Sequence, residues 1–188
     1  MDKLIWHLED PRVGQSYPNY YVSKLASKFV KVVLSGAGGD ELFAGYPWRY
    51  YSSLNYESHS EYIDNYYDYW QRLVSDKQKE KFFLNKKING TSNNRSKNIF
   101  EKVFKNKLFK SEIPEQKINQ SLYFEAKTFL HGLLIVEDKL SMANSLETRV
   151  PFLDNDIVDF AMKVPLKYKL NNISPEKIID ENDLGNKT

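Results

Sequence analysis

Between Lys31 and Tyr46 the chain reads K-V-V-L-S-G-A-G-G-D-E-L-F-A-G-Y, and these residue types could do chemistry on a phosphate. Ser35, Gly36, Gly38 and Gly39 make a turn with almost no side chain, followed at once by Asp40 and Glu41. Glycines let the backbone approach a phosphate closely, and successive N–H groups there form an anion-binding concavity. A helix starting at the turn adds its positive N-terminal end. Asp40 offers a hard oxygen to Mg2+, which keeps several waters and takes one or two carboxylates plus phosphate. One reading is therefore a nucleotide site. The other is a glycine-rich strand-to-helix turn in which Asp40 merely caps the helix.

A second charged constellation runs from Glu137 to Asp154, E-D-K-L-S-M-A-N-S-L-E-T-R-V-P-F-L-D. Glu137, Asp138, Glu147 and Arg149 cannot all be buried without partners, because an unpaired buried charge costs several kcal/mol. They must pair with one another, meet solvent, or face a charged ligand. Structural ion pairs and an active-site wall are equally good accounts at this level.

The elements that must position these groups can be read around them. Val32, Val33 and Leu34 form an apolar β-branched run, the signature of a buried parallel strand. Leu42 and Phe43 suit the first turns of a helix. Residues 1–18 read as irregular, ending in Glu9-Asp10-Pro11 and Ser16-Tyr17-Pro18. Asn19 to Phe29 reads as a helix with Tyr20, Tyr21, Leu25, Ala26 and Phe29 on one face. A polar linker follows near Asn55 to Ser60. Glu61 to Leu84 carries a Tyr62, Tyr66, Tyr69, Trp70, Leu73 stripe that is better core than cofactor box. Asn85 to Lys97 is the best loop candidate. A long helical run starts at Ser121 and continues into the second constellation until Val150-Pro151. Asp154 or Asn155 then caps a last helix, placed against the core by Ile157, Phe160, Ala161 and Val164 and stopped by Pro165. No second convincing buried strand is visible, and one parallel strand cannot stand alone. The class expected is helix-dominated α/β.

Composition narrows the functions. With 188 residues and 41% hydrophobic content the chain suits one domain with a core. There is no cysteine, so disulfides, cysteine zinc sites and a cysteine nucleophile are excluded within it. No long apolar run or signal segment is present, so no membrane role and a cytoplasmic location are expected. Net charge is +2, which gives no global field for nucleic acid. Basic residues do concentrate from Lys86 to Lys117, but Phe100, Phe104 and Phe109 recur there at near-helical spacing, as on a solvated helix.

The turn's pattern, S-G-x-G-G-D-E-L-F-x-G-Y, resembles that of the synthetase domain of glutamine-hydrolysing asparagine synthetases and their relatives. The Glu137 to Asp154 block is similar to a second motif of the same family. So are W-H-L-E-D-P at Trp6 to Pro11 and M-K-V-P-L-K-Y-K-L at Met162 to Leu170, with a variable middle from about Asn55 to Asn119. The resemblance implies a partial Rossmann-like nucleotide α-hydrolase fold, here the C-terminal portion of the synthetase domain over residues 1–188.

It also implies an activity. Such enzymes activate the β-carboxylate of aspartate with ATP and Mg2+, giving an aspartyl-adenylate and pyrophosphate, and ammonia from glutamine then displaces AMP. Carried over, Ser35 and Gly36, with Gly38 and Gly39, contact ATP. Asp40 helps hold Mg2+ and pyrophosphate with Glu41 close by, and Glu41, Asp138, Glu147 and Arg149 are the catalytic candidates. Position 37 departs from the pattern: the family usually has Glu, and Ala37 can neither transfer a proton nor orient ammonia. The family's S-G-G-x-D-S strand, its glutaminase domain and its catalytic Lys and Arg loop are not found in this sequence. The expectation is a ligase portion needing upstream synthetase strands and an ammonia donor domain or chain, acting on aspartate or another carboxylate. Its alternative is a degenerate, non-catalytic binding partner. The chain alone is expected not to make asparagine.

Overall fold

The computed structural model describes residues 2–10, 15–51, 56, 58–71, 74–82, 95–105 and 114–170. In chain order the elements begin α1 (Asp2–Leu8), α2 (Ser16–Ala26), β1 (Val32–Leu34), α3 (Gly39–Phe43), α4 (Pro47–Tyr51) and α5 (His59–Trp70). They continue with α6 (Asp76–Phe82), α7 (Arg95–Val103), α8 (Pro114–Lys127), α9 (Phe129–Met142), β2 (Glu147–Arg149) and α10 (Asn155–Lys163). Short 3-10 turns occupy Pro151–Leu153 and Leu166–Tyr168. The class is helix-dominated with a small parallel sheet, as expected.

Two compact units divide the chain, Met1–Gly45 with Glu125–Pro165, and Tyr46–Phe124 with Leu166–Thr188. The first unit holds the sheet. β1 pairs with β2 in parallel, Val32 opposite Glu147, Val33 opposite Thr148 and Leu34 opposite Arg149. β2 corrects the reading of a helix running to Val150. α9 ends at Met142, Asn144 Nδ2 donates to the Leu140 carbonyl at 2.9 Å, and Ser145 turns left-handed at φ 54°. The polar E-T-R triplet, which carries no apolar strand signature, is extended because β1 offers it a ladder.

α2 and α9 pack side by side, and α9 also lies against β2. Leu4 and Leu8 of α1 pack with Val136 and Leu140 of α9, so the N-terminal segment is helical rather than irregular. That i, i+4 pair is its only strong periodic signal, too short to stand out in sequence. α2 begins three residues earlier than expected, since Pro18 is tolerated in a first turn. Its supposed core face is another correction. Tyr21, Leu25 and, past the helix end, Phe29 are exposed, and on α10 so are Ile157 and Phe160, with only Ala161 fully buried. β1 is likewise not covered: Val32 is 40% and Leu34 75% exposed.

The second unit uses the chain's aromatic content. Tyr62, Ile63, Tyr66 and Tyr67 of α5 pack with Phe100, Phe104 and Phe124, which bears out Tyr62 and Tyr66 of the stripe, with Tyr69 and Trp70 partly buried against them; Leu73 lies outside the described residues. Ring pairs such as Phe100–Phe124 at 4.6 Å and Tyr66–Phe124 at 5.6 Å hold three helices together. The expected Glu61–Leu84 helix is two helices. A capping box starts α5, Ser58 Oγ accepting from the Glu61 N–H at 3.2 Å, and the chain breaks after Trp70. The run from Ser121 is likewise two helices, parted at Thr128. The loop placed at 85–97 lies outside the described residues except for 95–97, which start α7.

Candidate functional site

Sequence positions about 110 residues apart meet in the first unit. The Ser35 N–H donates to the Arg149 carbonyl at 2.8 Å, which extends the strand pairing into the glycine turn. At the turn's far end Gly38 stands at φ 90°, a conformation that disfavours any L side chain. A Cβ built there would lie 2.9 Å from Leu153 Cγ. One at Gly39 would lie 3.6 Å from the Phe152 ring, which meets Phe43 edge-on at 6.4 Å. The glycine turn is thus seated on the Pro151–Leu153 segment of the second motif. Gly38 leaves room for the Leu153 side chain, and Gly39 meets the Phe152 ring at ordinary contact distance.

Gly36 is different. It is exposed, and a Cβ there would meet nothing within 4 Å. This open side lies at the carboxyl end of β1, where open α/β sheets bind ligands. Ser35 Oγ accepts the Ala37 N–H at 3.2 Å, and the Gly39 N–H returns to the Gly36 carbonyl at 3.1 Å. Internal bonds therefore fix the shape of the turn.

Asp40 is exposed, whereas Glu41 is buried. α3 has Gly38 as its N-cap with no side-chain cap, so Asp40 does not cap it. The Asp40 carboxylate instead lies against Gly45, whose N–H donates to the Asp40 carbonyl at 2.9 Å. A Cβ at Gly45 would collide with that carboxylate. At five residues, α3 is also short, so its dipole contributes less than the sequence implied. Among the described residues no group of three or more His, Cys, Asp or Glu side chains could hold a metal. A cage made of protein alone is therefore not present there. One exposed carboxylate beside an open glycine turn does fit an ion that takes its remaining ligands from phosphate and water.

The other candidates are distributed along the second motif. Glu147 and Arg149 alternate with Thr148 on β2, and Arg149 Nε donates to Glu147 Oε1 at 2.8 Å. Both are exposed, so their pairing is a surface one. Asp138 is exposed on α9, and its carbonyl accepts the Ser141 hydroxyl at 3.1 Å. Sequence reasoning passed over Lys139. Its Nζ donates to the Leu8 carbonyl at 3.0 Å and to Glu9 at 2.7 Å, tying the end of α1 to α9. The hydrogen bond from Lys139, with its charge, holds the Glu9 carboxyl below the usual range. The only signal available in sequence was a cation inside one motif and an acidic pair, Glu9-Asp10, inside another.

Comparison with known proteins decides the family. The Asparagine synthase family model matches residues 1–180. The chain belongs to this family. It is 31% identical to glutamine-hydrolysing asparagine synthetase 1 of Bacillus subtilis, over 98% of this chain and 35% of that protein. A putative asparagine synthetase of Mycobacterium bovis is 28% identical over 90% of the chain and 30% of its own length. One from Methanocaldococcus jannaschii is 53% identical over 47 residues, 24% of this chain. The chain therefore spans about a third of the length of these first two relatives. No solved structure matches it. Among the described residues no helix is long and apolar enough to cross a membrane.

Proposed function

We propose that this chain carries the metal and phosphate side of the site of an ATP-dependent, amide-forming ligase with a partial Rossmann-like fold. The observation that supports this most is the contrast within one turn. Gly38 is needed for packing on Leu153, while a Cβ at Gly36 would meet nothing within 4 Å, so Gly36 has no packing role. A purely structural turn has no reason to keep the third glycine bare.

In this reading the Gly36 backbone and Ser35 border the phosphates. Asp40 gives one oxygen to Mg2+, and Gly45 leaves room for that carboxylate. The ion, when bound, neutralises charge at the phosphate under attack. The chain's own contribution is positioning by a turn fixed through hydrogen bonds, the commonest source of such stabilisation. Glu147 and Arg149 can face a charged ligand by giving up a surface pair that is worth at most about 1 kcal/mol. Asp138 and Glu41 are assigned supporting roles. Aspartate or another carboxylate is the substrate, with ammonia supplied by a separate domain or chain. In this reading further synthetase strands, on the same or another chain, complete the site.

Ala37 favours a second reading. A methyl group where the family usually has a carboxylate suits either another acid substrate or a non-catalytic partner.

Calorimetric titration of the chain with Mg-ATP tests the proposal. Saturable binding is expected, weakened at least about tenfold by Asp40→Asn or Gly36→Val, each at an exposed position where folding is little affected. Binding that ignores both changes, or no binding, refutes it. Aspartate-dependent AMP release by the pure chain would refute the claim that further strands are needed.

A further inference from the structure

We infer that Gly45 is a positioning residue for Asp40: its bare Cα is the seat that sets where the Asp40 carboxylate stands, and so where a bound cation meets it. The inference rests on the functional reading above and adds to that site a residue that need not touch the ligand. Three observations carry it.

The first is how α3 ends. Helices commonly close through one left-handed residue, and glycine is the usual occupant of that place. Here Ala44 takes it, at φ 62° and ψ 44°, and is buried. Gly45, one position on, has no positive φ. Backbone conformation therefore does not explain the glycine, since the strained place beside it is held by a residue with a side chain.

The second is what surrounds Gly45. A Cβ there would lie 2.7 Å from Asp40 Cβ and nearer still to Cγ and Oδ1, and these three nearest atoms all belong to one residue. Gly45 is itself exposed, so core packing does not ask for a glycine. It differs in this from Gly38, where a Cβ would press on Leu153, and from Gly36, where one would meet nothing. The place a side chain would fill is taken by the Asp40 carboxylate.

The third is how the seat is held. The Asp40 carbonyl accepts two N–H groups, that of Ala44 and, at 2.9 Å, that of Gly45. The Asp40 side chain thus lies against the same residue that its carbonyl binds. An exposed carboxylate is otherwise free to turn among staggered rotamers. Mg2+ demands near-ideal octahedral geometry, so an oxygen displaced from its place is a poor ligand for it. Seating the carboxylate on main chain supplies that constancy.

The probe for the test is Mn-ATP added to the full chain, with bound Mn2+ counted by electron paramagnetic resonance. Gly45→Ala should weaken binding by at least about tenfold. In the Asp40→Asn background the same substitution should change binding by less than about twofold, because the carboxylate it displaces is already gone. Ala44→Gly relieves the left-handed residue and adds nothing near Asp40, so it should leave binding within about twofold of the unsubstituted chain. Unfolding supplies a readout that needs no ligand. Gly45→Ala should lower the thermal transition, and most of that loss should vanish when it is measured against Asp40→Gly. If Gly45→Ala alone does not fold, its recovery in the Asp40→Gly background carries the test. A loss of stability that persists without the Asp40 side chain overturns the inference. Undiminished Mn-ATP binding by Gly45→Ala does the same, as does further weakening of Asp40→Asn. If the unsubstituted chain ignores Mn-ATP, the functional reading falls, and the unfolding comparison still decides whether Gly45 seats Asp40.

Discussion

Alanine placed at Gly38 and at Gly36 should have opposite effects, although the two positions are separated by one residue. At Gly38 the backbone sits at φ 90°, and left-handed geometry costs an L residue roughly 1–2 kcal/mol. The new Cβ would press on Leu153 Cγ at 2.9 Å, and overpacking costs roughly 1–3 kcal/mol. Loss of unfolded-chain freedom returns about 0.4–1 kcal/mol. Gly38→Ala is therefore expected to lose about 1–5 kcal/mol, a fall in Tm on the order of 10 °C for a chain of this size. Gly36→Ala meets nothing within 4 Å and has no positive φ, so it should be neutral or gain up to about 1 kcal/mol.

Urea and thermal unfolding of both variants would check this, with m compared to show that the denatured state is unchanged. The double variant Gly38→Ala with Leu153→Ala separates the two costs. Removing the Leu153 side chain should return the overpacking part and leave the backbone strain. Equal effects at both glycines, or a silent Gly38→Ala, would refute the argument that one glycine packs while the other stays open for a ligand.

The remaining expectations concern staples and caps. Asp154 accepts the Asp156 N–H at 3.0 Å, so Asp154→Ala should cost about 1 kcal/mol in urea unfolding through loss of the α10 N-cap. Ser58→Ala should cost a similar amount by opening the α5 capping box. The Glu9 carboxyl is lowered from its ordinary 4.5 by Lys139, so its contribution to stability is present above that value. It is lost as pH falls through the lower folded value, and acid unfolding followed by circular dichroism should lose this component in Lys139→Met. Burial, with the hydrogen bond to Asp76 at 2.7 Å, pushes the Tyr67 phenol up to about 12, so by NMR titration it should ionise well above the ordinary tyrosine range, and Asp76→Asn should bring it down.

Which parts were legible in sequence follows from how each residue earns its place. Val32 to Leu34 announced a parallel strand because three apolar residues have few other uses. Tyr62 and Tyr66 announced a helix face because their core is supplied within the described residues. Asp154 announced a cap because its bond is local. β2 was hidden because Glu147, Thr148 and Arg149 are strand only by virtue of β1, a partner more than a hundred positions away. The seat for Gly38 was hidden for the same reason, since nothing in P-F-L states that a distant glycine needs it. Local signals were readable, and signals that depend on a distant partner were not.

The same distinction explains the apolar faces that the periodicity of α2 and α10 placed in a core. Leu25, Phe29, Ile157 and Phe160 carry the spacing of core residues and are exposed. Leu34 behaves alike, apolar at a position where this sheet offers no cover. Periodicity reports the surroundings in which a segment is stable, and here those surroundings are larger than the two-stranded sheet. A residue whose type says core while its exposure says surface is then evidence for a missing neighbour, provided such residues cluster. β1, the approach to it and α10 all belong to the unit that carries the glycine turn. The glycine turn proposed to border the phosphates hangs from β1, so the exposed apolar residues and the proposed site belong to one piece of the fold.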